Sequence, residues 1–367
     1  MKKKVLFIIW SYSYGGGAER ILTNIVNNLD PSKYEIDILE YVYAGIKKEE
    51  INDNINLLNP IIDITDRSFI NRVNNYIKEK VVYRFPKLLR QKYIKKDYDV
   101  EIAFNYLIPT FLLNYNAKTI GWCHGAVTDL KENDKLKKLQ KKYYDKINKI
   151  VAISNKTFDS VIDVYPEYKN KVELIYNGFD KNNILNKIND YKAENIDILY
   201  CGRFDENKNP AKFIEIIKNI KKVKNDIMAG MLGIGKLEEN IKKMIDEYEL
   251  GDNVILYGYK DNPYPIINST KIMCLTSYSE GFPTVLMEGM ILGKPFISTE
   301  VAGTKEMSNS NKCGFVSNDN EMLCKYAIKL LEDKKLYDVM SRDSKKHAEN
   351  FTLINQIKNI ESIIDKE

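Results

Sequence analysis

Apolar residues in this chain come in two kinds of run, and the two kinds alternate along its whole length. Short unbroken runs at 4–10, 100–105, 118–124, 150–154 and 172–177 predict strands buried on both faces, as in a parallel sheet. A further strand restarts at 34–43. After residue 190 the strand pattern begins again, at 196–201, 227–232, 254–259, 271–276 and 294–299. Between the runs the apolar spacing turns helical. Ile21, Leu22, Ile25, Val26 and Leu29 place a helix over 18–29, stopped by Asp30-Pro31. Asn209 and Pro210 suit the cap and first turn of a helix over 211–222, and 320–331 and 353–364 carry the same period. Strand and helix alternating twice predict two Rossmann-like α/β domains. The polar run after Phe179, 180–190, is the expected linker.

Composition fits that picture. A chain of 367 residues that is 44% hydrophobic can bury two cores. The longest apolar runs have strand length, which predicts no transmembrane helix. Lys2-Lys3-Lys4 followed by apolar residues has the start of a signal peptide, but no small-residue cleavage site follows, so a first strand is the better reading. Cys123, Cys201, Cys274, Cys313 and Cys324 are odd in number and scattered among apolar runs, a pattern of reduced, buried thiols in a cytoplasmic protein. Residues 1–180 hold 29 Lys/Arg against 23 Asp/Glu, so the net charge of +5 belongs to the first half.

Much of that excess lies in 67–96, where ten Lys/Arg and the single acid Glu79 are interleaved with apolar residues such as Phe69, Ile70, Val73, Tyr76 and Ile77. Such a mixture reads either as a solvated helix face or as a segment seeking an anionic membrane surface. No zinc finger or RNP sequence accompanies it, so no nucleic-acid partner is expected.

The chemistry concentrates at strand ends. The stretch 277–292 reads SYSEGFPTVLMEGMIL, with Glu280 on a loop, Glu288 on the helix that follows, Pro283 at the expected first helical position and Gly293 just past its end. The leading amides of such a helix, at Thr284, Val285 and Leu286, together with its dipole suit a phosphate. Arg203 and Lys208 lie within one strand-to-helix turn, where a forked guanidinium and a mobile amine serve an anion. The first turn, Gly15-Gly16-Gly17-Ala-Glu-Arg20, lacks the third glycine of a dinucleotide fingerprint and the Lys-Ser/Thr ending of a P-loop. His124, one of two histidines, ends a strand at the edge where α/β sheets bind ligands. Asp97 and Asp99 form an Asp-x-Asp pair but lead into a strand, so they read as a solvated strand start; no metal site is expected.

The segment Glu280-Gly-Phe-Pro-Thr-Val-Leu-Met-Glu288 resembles the Glu-x7-Glu motif of retaining glycosyltransferases of family 4, which have the two-Rossmann-domain GT-B architecture. The Gly-Gly-x-Glu-Arg loop, His124 and Gly202-Arg203-x4-Lys208 stand in family order, so the resemblance covers nearly the whole chain. It implies an acceptor-binding domain over 1–180 and a nucleotide-sugar domain over 181–346, facing each other across a cleft, with 347–367 packing back on the first. The activity implied is transfer, with retention, of a hexose or N-acetylhexosamine from a nucleotide-diphosphate sugar, a UDP-sugar by preference. The acceptor would be a glycan or a polyprenyl-diphosphate-linked glycan of bacterial surface polysaccharide or glycoprotein synthesis, handled by a peripheral enzyme on the cytoplasmic face of the membrane. By the same resemblance Gly16, Gly17, Arg203, Lys208, Gly281, Phe282, Pro283, Thr284, Val285 and Glu288 bind donor, Glu288 at the ribose. Glu280 holds the donor sugar and His124 sits near the reacting carbon. With cations at the diphosphate, no metal or other cofactor is required. No residue is an obvious nucleophile, consistent with the front-face attack ascribed to the family. A nucleotide-sugar 2-epimerase of the same fold would show more catalytic acids and histidines, and a non-catalytic partner subunit would not need Arg203, Lys208, Glu280 and Glu288 intact.

Overall fold

The structure is a computed structural model that describes residues 1–14, 17–46 and 50–366. It divides into two compact units, one of 1–178 with 353–367 and one of 179–352. Residues 347–352, grouped with the returning segment on the sequence, therefore lie in the second unit.

In the first unit, strands β1 (Lys3–Ile9), β2 (Tyr34–Glu40), β3 (Val42–Tyr43), β4 (Ile55–Leu57), β5 (Ile62–Asp63), β6 (Val100–Ala103), β7 (Lys118–Cys123), β8 (Lys149–Ala152) and β9 (Val172–Leu174) are described. Seven of them form one sheet in the order β4-β2-β1-β6-β7-β8-β9, and β3 and β5 pair separately. Every pairing in the large sheet is parallel. β1 runs Val5 to Ile9 through the core with both faces buried, which is why it reads as an unbroken apolar run. The expected strand 34–43 is broken at Tyr41. The Tyr41 and Val42 amides turn to the carbonyls of Ile9 and Trp10, and Glu40 turns to the loop after β1.

Charges inside this sheet are paired. Glu101 on β6 is buried, takes a two-pronged bond from Arg90 at 2.6 and 2.8 Å, and accepts the Asn114 amide at 2.6 Å. Asp37 accepts the Tyr98 hydroxyl at 2.6 Å and meets Lys96 at 3.2 Å. Asp99 accepts the Lys4 amide at 2.7 Å, so that residue of the Asp-x-Asp pair ties two strands together. The final helix, Leu353–Asp365, buries Ile360, Ile363 and Ile364 against this unit, and Lys3 and Lys118 both donate to the Ile364 carbonyl in its last turn.

The second unit holds β10 (Ile196–Cys201), β11 (Ala229–Leu232), β12 (Val254–Gly258), β13 (Thr270–Leu275), β14 (Phe296–Ser298) and β15 (Gly314–Val316). Their order, β12-β11-β10-β13-β14-β15, is the 3-2-1-4-5-6 order of the dinucleotide-binding fold, all parallel. The polar run taken as linker contains a short helix, Lys181–Asn186, capped by Asp180. His347, the other histidine, lies in the last turn of the helix Lys334–Ala348.

Segment 67–96 folds as two helices, Phe69–Arg84 and Pro86–Tyr93. Ser68 caps the first, and Pro86 both ends it and opens the second.

Candidate functional site at the sheet edges

In the second unit the connections reverse direction between β10 and β13, the crevice where open α/β sheets take ligands. Two loops leave the sheet there. The first, 202–209, is drawn tight by side chains that bond its backbone. Asp205 accepts the Lys208 amide at 2.9 Å, the Tyr200 hydroxyl donates to the Arg203 carbonyl at 2.9 Å, and Phe204 is buried beneath. Asn209, left-handed at φ 47°, caps the helix Pro210–Lys221 by accepting the Lys212 amide at 3.3 Å. The second loop, 276–283, is clasped to the first. The Thr276 hydroxyl donates to the Asn209 carbonyl at 2.9 Å, the Tyr278 amide to the Asn207 carbonyl at 2.8 Å, and Asn207 Nδ2 to the Ser279 carbonyl at 3.0 Å.

The clasp brings two of the sequence candidates into contact. Lys208 Nζ lies 2.6 Å from Glu280 Oε1, and the Ser277 hydroxyl donates to the same oxygen at 2.6 Å. Arg203, two-thirds exposed, meets Asp205 Oδ2 at 3.1 Å. Each cation of the pair thus carries a carboxylate already, and Lys208 joins the sugar-holding candidate Glu280 to the anion-holding group. Spacing alone gave no sign that Lys208 and Glu280 would meet, because 72 residues separate them.

Pro283 stands one place earlier than expected. Its ψ of 103° makes it the cap, and the helix runs Thr284–Ile291. The cause is packing in front of the helix: Gly303, at φ 85°, approaches Phe282 and Pro283 so closely that a Cβ there would meet the Phe282 ring at 2.8 Å. The amides of Thr284, Val285 and Leu286 are the first three of the helix and have no carbonyl one turn back. Gly281 precedes Phe282 on the loop, and Gly293 closes the helix at φ 73°. Glu288 lies on the buried side among Leu286, Met287, Met290 and Ile291, only 3% exposed. A carboxylate so placed among apolar neighbours is uncommon unless it serves a specific partner.

Gly233 and Gly235, on the loop after β11, support the site from below. Gly233 sits at φ 146° with its would-be Cβ 1.9 Å from the Gly202 carbonyl oxygen, and a Cβ at Gly235 would lie 2.4 Å from the Phe204 carbonyl oxygen. Only bare backbone lets the loop after β11 support the loop that carries Arg203 and Lys208.

In the first unit the reversal lies between β1 and β6. Glu40, which the sequence reading missed, braces the loop after β1. It accepts the Tyr12 amide at 2.9 Å, the Ser13 amide at 3.2 Å and the Ser13 hydroxyl at 2.9 Å. Burial raises its carboxyl pKa, and those bonds offset part of the rise. An acid ending an apolar strand, at Leu39-Glu40, is the one signal that could have drawn attention to it. Gly17 opens the helix Gly17–Asn28, exposed and with open space around it, while Gly16 lies outside the described residues.

His124 follows β7, its ring 4.4 Å from the Phe104 ring centre and 6.2 Å from that of Trp122. It bonds the Phe104 carbonyl, and burial pushes its pKa down to about 3, so the ring is a neutral imidazole at ordinary pH. Nε2 is buried and makes no hydrogen bond among the described residues. Among those residues no cluster of three or more His, Cys, Asp or Glu assembles that could hold a metal ion, and no helix is long and apolar enough to cross a membrane.

Comparison with known proteins matches both halves. Residues 15–183 match the profile of Glycosyltransferase Family 4, and residues 180–347 that of Glycosyl transferases group 1. The chain is 27% identical, over 96% of each sequence, to the N-acetylgalactosamine-N,N'-diacetylbacillosaminyl-diphospho-undecaprenol 4-alpha-N-acetylgalactosaminyltransferase of Campylobacter jejuni. It is 25% identical to an uncharacterized glycosyltransferase of Haemophilus influenzae, over 95% of this chain and 96% of that one. Among solved structures, Anabaena HepE in complex with UDP superposes with a TM-score of 0.75 at 15% identity, over 99% of each chain. WaaG, a glycosyltransferase involved in lipopolysaccharide biosynthesis, superposes with a TM-score of 0.71 at 13% identity, over 99% of this chain and 100% of that one.

Proposed function

Because this chain is a glycosyltransferase of the two-domain GT-B fold, we propose that it moves a hexose or N-acetylhexosamine from a UDP-sugar, with retention of anomeric configuration, to a lipid-linked glycan. The pathway would be a bacterial surface polysaccharide or glycoprotein, worked from the cytoplasmic face of the membrane. The Campylobacter relative, named for a diphospho-undecaprenol-linked acceptor, supports the acceptor class, and the UDP complex of Anabaena HepE supports the donor base.

One observation carries the reading: Arg203, Lys208, Glu280 and the first amides of Thr284–Ile291 are gathered at the sheet reversal of the second unit. Departure of the sugar leaves new negative charge on the diphosphate. Arg203, Lys208 and the amides of Thr284 and Val285 would hold that charge, with Gly281, Phe282 and Pro283 shaping the approach. Hydrogen bonds to a charged group are worth about 1.5–3 kcal/mol each, and fixed donors aimed at developing charge are the larger catalytic term. Lys208, already bonded to Glu280, would be shared between that carboxylate and a phosphate oxygen. In this reading the shared Lys208 keeps Glu280 turned toward the hydroxyls of the donor sugar. Glu288 would accept from the ribose, and neutral His124 would offer Nε2 to a sugar hydroxyl near the reacting carbon. Gly16 and Gly17 would let phosphate or acceptor approach the backbone.

A panel of nucleotide sugars read by thermal shift and by nucleoside-diphosphate release tests the donor class. A UDP-hexose or UDP-N-acetylhexosamine should stabilise the protein and be turned over. Stabilisation by GDP- or ADP-sugars alone would overturn the base assignment.

A further inference from the structure

We propose that the outward face of the helix Phe69–Arg84 is a bilayer-docking surface that inserts its apolar side chains among anionic lipids. The proposal rests on the lipid-linked acceptor reading for its purpose, and on the inverted polarity of this helix for its substance.

A surface helix ordinarily turns its apolar stripe inward. This one is attached through polar groups. Asn71 and Asn75 each donate to the Asp63 carbonyl at 2.7 Å, Lys78 donates to the Ile61 carbonyl at 2.6 Å, and Val82 is its one fully buried side chain. Its apolar residues look outward at helical spacing: Phe69 is 79% exposed, Ile70 74%, Tyr76 60% and Ile77 51%. Phe85 and Leu88 continue the patch into the helix Pro86–Tyr93. An exposed apolar patch of this extent marks an interaction site.

The charge around it selects the occupant. Arg90 is bonded to buried Glu101, and Lys96 to Glu35 and Asp37, so those cations of the segment belong to the fold. Lys80 and Arg84 belong to the patch, lying over the Tyr76 and Phe85 rings at 5.2 and 6.0 Å. Tyr83 ties the helix to the fold instead, meeting the buried Phe111 ring edge-on at 5.9 Å. Exposed aromatic rings with cations seated on them, as at Tyr76 and Phe85, suit the boundary between headgroups and acyl chains. A second copy of this chain would bring like charges together, since Glu79 is the sole acid of 67–96, whereas anionic headgroups complement them. Attachment would then have two parts, electrostatic recruitment that salt screens and apolar insertion that it does not.

Flotation with phosphatidylcholine vesicles, with and without phosphatidylglycerol, at low and high salt, tests this. The protein should float with the anionic vesicles and keep a measurable bound fraction at high salt. The variant Phe69→Ser/Ile70→Ser/Ile77→Ser should lose about tenfold or more in partitioning, with an unchanged circular-dichroism spectrum and unchanged UDP release in the absence of vesicles. Lys80→Gln/Arg84→Gln should lose only the part that salt removes. The proposal is overturned if the wild type stays down with anionic vesicles at low salt, or if the triple serine variant floats as well as the wild type. It is also overturned if the triple variant abolishes a dimer formed without vesicles, since the occupant is then a second copy. Transfer to a detergent-solubilised lipid-linked acceptor without flotation removes the docking surface and leaves the acceptor reading. Flotation without such transfer does the reverse.

Discussion

His124 shows how much one side chain's surroundings decide. An ordinary imidazole titrates near 6.5, but burial beside Phe104 and Trp122 carries this one down to about 3. The folded protein therefore binds the proton less readily than the unfolded chain. The stability this confers is fully present above about pH 6.5 and is lost as pH falls toward 3. His124→Phe should remove that component, so melting temperature should fall less steeply between pH 7 and pH 4 in the variant than in the wild type. Equal slopes would show that His124 is not buried as neutral imidazole. Activity of the wild type should show no step from this residue between pH 5 and 8, because it stays uncharged throughout that range. The sequence could place His124 at a strand end, but the aromatic rings that set its pKa come from β7 and from Phe104 after β6, which only the fold brings together.

At the scale of elements, the strands were legible because both faces of a parallel strand are buried, and 196–201 matched β10 residue for residue. What local pattern could not supply was the bracing between loops. Glu40 reaches from the end of β2 to Tyr12 and Ser13 after β1, and Gly233 allows the Gly202 carbonyl to pass where a side chain would stand. Pro283 was misplaced by one residue for the same reason, since Gly303 lies twenty residues along and fixes the chain in front of the helix. Gly233→Ala puts a Cβ against backbone at a φ that side chains avoid, a strain of roughly 1–3 kcal/mol or more. Because the displaced backbone belongs to the loop of Arg203 and Lys208, both the urea midpoint and kcat should fall. A variant with wild-type stability and turnover would show that this contact does not hold the loop. The inverted helix Phe69–Arg84 was half legible: its mixture of basic and apolar residues stood out, but which side faced the protein depended on carbonyls of Ile61 and Asp63.

For the whole molecule, two cationic groups and a helix end at the leaving diphosphate make a metal unnecessary in the proposed chemistry. Turnover should survive chelation by EDTA within about twofold, an electrostatic task already filled by protein donors. Complete loss, restored by Mg²⁺ or Mn²⁺, would require a different account of the leaving group. The α/β architecture, and the place of Gly202-Arg203-x4-Lys208 and Glu280-x7-Glu288 after strand ends beside the sheet reversal, were readable because a ligand-facing turn must follow a buried strand. The pairing of Lys208 with Glu280 was not, since it arises from a clasp between loops far apart in the chain. The measurement closest to the central claim is the rate of UDP release from the preferred UDP-sugar, with acceptor, by wild type, Arg203→Ala and Lys208→Ala. Each variant should turn over about 100-fold or more slowly, the usual cost of removing one donor to developing charge, with the far-UV spectrum unchanged. Wild-type rates in both variants would contradict the assignment of this clasp to the leaving diphosphate.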